Sequence, residues 1–240
     1  MILNSSGIVL STLRYSDSSV IARIYTRAKG LRSFMVRTGK GKSALTKLAL
    51  LQSLSLVEIS FSDDERKNLH TLRSLEREST LRTIPFDPVK TCIALFVSET
   101  IGRAIGEEEH NEELFKFLRS AILLLDDEDG SPANFHLKFL VEFTRFLGFY
   151  PNADYQSESF FDLKEGEFTR ANPIHPYFID KQLAPWFQEL LTVGMSAYGS
   201  VHLTNQERRE LLQKLLDYYR LHLDGMKEIN SHKVLEEVLS

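Results

Sequence analysis

The spacing of hydrophobic positions changes part-way along this chain. In the first third, apolar residues recur at short, often alternating intervals in "GIVLSTL", "SVIARIY", "LRSFMVR", "LSLVEISF" and the run from Leu69 to Leu75, each bounded by Gly, Ser, Asp or Lys clusters. Alternation of that kind predicts half-buried strands, five in all. Between the third and fourth runs lies "ALTKLALLQ", Ala44 to Gln52, whose spacing predicts a single short helix.

Beyond "TIPFDP", Thr83 to Pro88, whose two prolines separate one kind of element from the next, the apolar period lengthens to that of a helix. Val89, Cys92, Ile93, Phe96, Val97, Ile101 and Ile105 fall on one helical face, and so do Leu114, Phe117, Leu118, Ala121, Ile122 and Leu125. A third helix opens at Ser131-Pro132, an N-cap followed by a first-turn proline, and runs to Gly148. A further one starts at a capping box, Thr204 to Glu207, and stops at Asp224-Gly225. Tyr150 to Phe178 has no helical period and predicts an irregular insert with a small hairpin turning at Lys164 to Glu167. The expected fold is α+β and multidomain. Residues 1–82 form a five-stranded OB-fold β-barrel, three strands, a helix and two strands, and residues 83–240 form a mainly α-helical domain.

Charge divides the chain at the same place. The formal net charge is -4, yet residues 1–82 carry a net +7 and residues 83–240 a net -11. The asymmetry is concentrated between Asp17 and Glu58, where there is no acidic residue but where Arg23, Arg27, Lys29, Arg32, Arg37, Lys40, Lys42 and Lys47 all lie. Ordinary surfaces mix both signs, so these eight are the candidate contacts to nucleic-acid phosphate. Arg37, Lys40 and Lys42 surround two glycines in "RTGKGK", where backbone can approach a phosphate closely. Tyr15, Tyr25 and Phe34 are interleaved with the cations, although any one aromatic in a strand is more often core than stacking platform.

Evidence for catalysis is thin. Asp63, Asp64 and Glu65 form one carboxylate run and Glu107, Glu108 and Glu109 another. Metal sites, however, gather ligands from several elements, and a single polar run reads better as a solvated turn. The seven histidines show no metal-binding spacing, and His175 in "NPIHP" suits a turn. Nucleophile-elbow, phosphate-loop and dinucleotide glycine motifs are missing from the sequence. Cys92 is a lone cysteine, which excludes an internal disulfide and suits a reducing compartment. Apolar runs fall far short of the roughly 20 residues of a membrane span, and the N-terminus has neither a basic leader nor a cleavage site, so the expected location is the cytoplasm. These features point to a binding protein rather than an enzyme.

Four segments, "SGIVLSTLRYSDSSVIARIYTRAKGLRSFMVRTGKGK", "LLQSLSLVEI", "FHLKFLVEFTRFLGFYPN" and "YYRLHLDGMKEINSHKVLEEVL", in that order and spacing, resemble the RecO family of bacterial recombination mediators and DNA repair proteins. The resemblance runs over nearly the whole chain. It implies an OB-fold followed by a helical domain, binding of single- and double-stranded DNA, strand annealing, contact with the acidic tail of the single-stranded DNA-binding protein SSB, and cooperation with RecR in loading RecA. It also implies a place near the bacterial nucleoid, while the residues themselves lead to the expectation of no cofactor and no catalysis. From charge pattern alone, an OB-fold RNA-binding or translation-associated module is an equal alternative.

The resemblance also bears on two further sites. An SSB tail is acidic and ends in an apolar residue, and the scarce cations of the acidic half include Lys138 and Arg145, two helical turns apart and flanked by Val141 and the row Phe135, Phe139, Phe143 and Phe146. They are the candidate tail contacts. Many RecO-family members carry a four-cysteine zinc site soon after the segment corresponding to "GFYPN", whereas the corresponding stretch here has no cysteine. Elemental analysis of the purified protein is therefore expected to find no stoichiometric zinc, and a chelator to leave its melting temperature unchanged; one tightly held zinc per chain would contradict this reading.

Overall fold

The computed structural model describes residues 2–39, 41–64, 66–106, 110–127 and 131–239. It separates into two compact units, Met1–Asp127 and Glu128–Ser240. The first holds the five strands expected from alternation: β1 (Ile2–Ser16), β2 (Ser19–Thr26), β3 (Gly30–Arg37), β4 (Leu56–Ser62) and β5 (Leu69–Arg77), with α1 (Lys42–Leu50) between β3 and β4. They close into a barrel in the order β1-β2-β3-β5-β4. β1 is longer than its apolar run because it pairs antiparallel with β4 through its first half and with β2 through the rest. The antiparallel β4–β5 pair and a short parallel β3–β5 pair, Ser33↔Leu69 to Met35↔Thr71, complete the circuit.

The barrel interior is filled by the inward set of the alternation: Val9, Val20, Ala22, Ile24, Phe34, Val36, Val57, Ile59 and Phe61, with Leu51 added from the end of α1. Gly7 lies where a Cβ would meet Ile24 Cγ2 at 2.6 Å, so the strand crossing there needs glycine. Two helices complete the unit, α2 (Pro88–Ala104) and α3 (Glu112–Leu125). Pro88 begins α2 as well as separating elements: the Asp87 side chain caps it, accepting from Val89 N and Lys90 N. At the far end of α3, Asp126 accepts from the backbone N–H groups of Arg82, Thr83 and Ile84 at 2.7 to 2.9 Å, which fixes the segment leading out of the barrel.

In the second unit α4 (Phe135–Leu147) is buried on nearly every side, which explains why its sequence is apolar beyond a single stripe. Around it lie α5 (Ala184–Thr192), α6 (Asn205–His222) and α7 (Ser231–Val238). The capping box at Thr204 and Glu207 forms as expected, and α4 ends at Gly148 in the left-handed conformation, φ 85°. The insert contains a three-stranded sheet in the order β7-β6-β8, from β6 (Phe160–Asp162), β7 (Glu167–Thr169) and β8 (Phe178–Ile179). The β6–β7 turn falls where the hairpin was expected.

His136, on α4, is fully buried, and burial together with the nearby Arg208 charge pushes its pKa down to about 3. It stays neutral in the folded chain while the unfolded chain takes up a proton below pH 6.5, so its contribution is complete above that pH and is lost as pH falls toward 3. We expect acidification from pH 6.5 to about pH 5 to cost this unit about 2 kcal/mol through His136 alone. Urea unfolding of the native chain and of His136→Gln at both pH values measures it: the variant should lose less stability on acidification.

Candidate nucleic-acid interface

The two faces of the β2–β3 ribbon are assigned by register. Val20, Ala22, Ile24 and their partners Val36, Phe34 and Arg32 share the inward side, while Ser19, Ile21, Arg23, Tyr25 and their partners Arg37, Met35, Ser33 and Leu31 share the outward side. The outward side is itself divided. At one end, the helices of the same unit cover it. Arg23 Nη1 donates to the Gly102 carbonyl in α2 at 3.2 Å, Tyr25 Oη donates to the Asn111 carbonyl at 3.4 Å, and the Tyr25 ring stacks on Phe115 of α3. Arg27 pairs with Glu112 at the start of α3, a contact that holds the Glu112 carboxyl below its usual range.

At the other end, the outward side is open. Arg37 and Lys42 are exposed, with no ion pair among the described residues. Lys47 reaches back over the β3–α1 connection, its ammonium donating to the Arg37 carbonyl at 3.0 Å. A shallow cleft of about 380 Å³ lies here, lined by Ser18, Ser19, Met35, Arg37 and Gly39. Beside it rises the β1–β2 hairpin, where Arg14 pairs with Asp17 at the surface and Tyr15 is 64% exposed.

The eight sequence candidates therefore do not form one patch. Arg37 and Lys47 meet at the open end, and Lys42 is exposed at the start of α1 beyond it. Arg23 and Arg27 are engaged by α2 and α3, and Lys29 pairs with Asp63 at 3.0 Å. Arg32 belongs to the inward row, and its guanidinium returns to the Leu31 carbonyl. Lys40 lies outside the described residues, as do Glu65 and the run at 107–109. Tyr25 and Phe34 are buried, whereas Tyr15 is not. Sequence reasoning did not find the covering role of α3, although Glu112 and Glu113 at its first turn were a visible counter-charge to Arg27.

Asp63 and Asp64 are each paired with cations. Asp64 takes hydrogen bonds from the Arg66 side chain and backbone and a contact from Lys67, which pull its pKa down to about 2. Among the described residues no group of three or more His, Cys, Asp or Glu is placed to hold a metal, and no helix is long and apolar enough to cross a membrane.

Lys138 requires a correction. It was expected at a surface beside Arg145, but it is 0% exposed. Its ammonium donates to Glu142 and, at 2.8 Å, to the Leu190 carbonyl, and burial lowers its pKa. The physical reason is that α4 is central, so a position two turns from an exposed residue is still covered by α5. Arg145 is exposed; its Nε donates to the same Glu142 at 2.8 Å and its guanidinium lies 3.5 Å over the Tyr150 ring.

Comparison with known proteins agrees with this barrel-and-helix plan. A family model described as the N-terminal part of recombination protein O matches residues 1–80 and one described as its C-terminal part matches residues 85–230. The chain belongs to the RecO family. Proteins named DNA repair protein RecO are similar along their whole length: that of Phocaeicola vulgatus is 37% identical over 241 residues, covering all of both chains, and that of Bacteroides fragilis 38% identical over 242 residues, covering 99% of each. The RecO relative from Flavobacterium psychrophilum is 34% identical over 241 residues, again covering both chains completely.

The split of the cations is testable. Replacing Arg23 and Arg27 together by Ala is expected to lower the melting temperature, because contacts between barrel and helices within this unit are lost. DNA affinity, measured by anisotropy at one salt concentration, should stay within about twofold, as both side chains are already engaged by α2 and α3.

Proposed function

We propose that this RecO-family chain is a non-enzymatic DNA-binding recombination mediator. The observation that supports it is the open end of the barrel, where Arg37 lines a cleft on the outward side of β2 and β3 and Lys47 reaches its carbonyl, with Lys42 exposed at the start of α1 and none of the three in an ion pair among the described residues. An OB-fold offers this side to oligonucleotides. Cations on exposed side chains favour phosphate contact, which positions nucleic acid without reading its sequence. The chain on this reading binds single- and double-stranded DNA, anneals complementary strands, and works with RecR and SSB to load RecA. The SSB tail would meet the second unit, where Arg145 and Tyr150 offer a cation beside an aromatic ring. Arg145 replaces the expected Lys138–Arg145 pair in that role.

Binding is expected to depend steeply on salt, each neutralised phosphate contributing about -0.7 to -0.9 to the slope of log K against log salt. Replacing Arg37, Lys42 and Lys47 together by Glu should weaken binding to every DNA sequence alike, on the order of tenfold or more, and should reduce the slope by about 2. Titrations of single- and double-stranded DNA at several salt concentrations, with RNA of the same sequence as a comparison, measure this. Unchanged affinity with an unchanged slope would overturn the assignment, and a marked preference for RNA would favour a different cellular substrate.

A further inference from the structure

The β1–β2 hairpin departs from what a solvated ribbon should carry. Residues 11–18 are exposed throughout, yet two of them are large and apolar or aromatic: Leu13 is 69% exposed and Tyr15 64%. Their backbone is also irregular. The β1–β2 register shifts between Arg14, paired with Val20, and Ser16, paired with Ser19, so Tyr15 is the extra residue of a β-bulge. A bulge re-aims the side chain it contains and strengthens the local twist. Leu13 is placed regularly opposite Ile21, and Ile21 is opposite Met35, so an apolar row crosses three strands toward the cleft that Met35 and Arg37 line.

Such a row on a free strand face normally serves protein contact or base contact, and the surroundings discriminate. Asp17 is the nearest acidic residue in sequence, already paired with Arg14, and after it the chain has no carboxylate until Glu58. Arg37 is the next outward position after Met35 and lines the same cleft, Lys47 donates to the Arg37 carbonyl, and Arg14 adjoins Leu13. Apolar and aromatic side chains rimmed by cations complement an unpaired nucleic-acid strand, whose bases are flat and apolar while its backbone is anionic. A duplex hides those base faces in its stack.

We infer that the β1–β2 hairpin is a base-stacking element: Tyr15 stacks on an unpaired base, and Leu13, Ile21 and Met35 form the apolar floor along which neighbouring bases lie. The inference rests on the proposed DNA-binding reading and adds to it the part of the substrate that is recognised, exposed bases rather than phosphates alone. The barrel's cations hold either form of DNA. The hairpin gives preference to strands with unpaired bases.

The test uses the full-length chain with Leu13→Ser, Tyr15→Ala and Tyr15→Phe, each side chain being exposed enough for the fold to tolerate the change, as thermal melting checks. Probes are a short oligothymidine, a duplex of matched length, and a single strand containing 2-aminopurine, whose fluorescence reports stacking. Tyr15→Ala with Leu13→Ser should weaken single-strand binding about tenfold, leave duplex binding and the salt slope unchanged, and abolish the fluorescence change, whereas Tyr15→Phe should behave as the native chain. Equal losses for single strand and duplex, or no loss for either, would overturn the hairpin's role while leaving the phosphate reading intact. The charge-reversal variant at Arg37, Lys42 and Lys47 separates the two: failure of that variant to weaken any DNA binding counts against the DNA-binding reading itself.

Discussion

Closure of the barrel is the constraint on which the rest of the first unit depends. The parallel β3–β5 contact is only three residue pairs long, but it joins the two ends of a sheet that would otherwise leave open edges. Once the circuit is closed, every strand has one side committed to the core. A slip of one residue in β2 would exchange Val20, Ala22 and Ile24 for Ser19, Ile21 and Arg23, placing a guanidinium among Phe34 and Phe61. The register that fills the barrel is thus the same register that sends Arg23, Tyr25 and Arg37 outward. Core packing and the candidate interface are two consequences of one alternation.

The outward side is then apportioned by α2 and α3. Asp126 pins the chain segment that precedes α2 to the end of α3 through three backbone hydrogen bonds, and hydrogen bonds to a charged group contribute more than neutral ones. With these helices held, Tyr25 is buried against Phe115 and the neighbouring arginines find acceptors. The excess positive charge of the first 82 residues consequently overstates what is available to a ligand. What remains free is displaced toward the β1–β2 hairpin and the β3–α1 connection.

The second unit meets a different requirement, that of holding a short insert with little regular structure. The sheet β7-β6-β8 directs Phe161 inward, where it meets Phe168, Phe187 and Tyr218 at ring separations of 4.6 to 5.9 Å. Tyr218 Oη donates to the Phe149 carbonyl at 2.8 Å, and the His222 ring lies flat on Phe149 with Nε2 at 2.8 Å from the Leu163 carbonyl. Aromatic rings supply large buried area together with edge-to-face attraction, and their polar tips satisfy backbone groups that a loop leaves over. The buried Lys138 is tolerated for a related reason: Glu142 and the Leu190 carbonyl compensate for its lost hydration.

Local periodicity was enough to place the five strands, α1, α2, α3, α4 and α6, because a strand or an amphipathic helix writes its buried side into consecutive residues. It also located the hairpin at 163–166, where Asp162 accepts from Lys164 N and Glu165 N to make the turn. The sequence missed α5 and α7, and it missed β1's full length, since the polar second half of that strand is set by pairing with β2 rather than by burial. For the candidate site, composition identified the stretch that carries the cations but could not divide it. Whether Arg27 meets a phosphate or Glu112, 85 residues away, and whether Lys138 faces water or the Leu190 carbonyl, are decided by which elements pack together. Charge and alternation are properties of neighbouring residues, whereas exposure belongs to a surface that exists only after distant segments have closed over it.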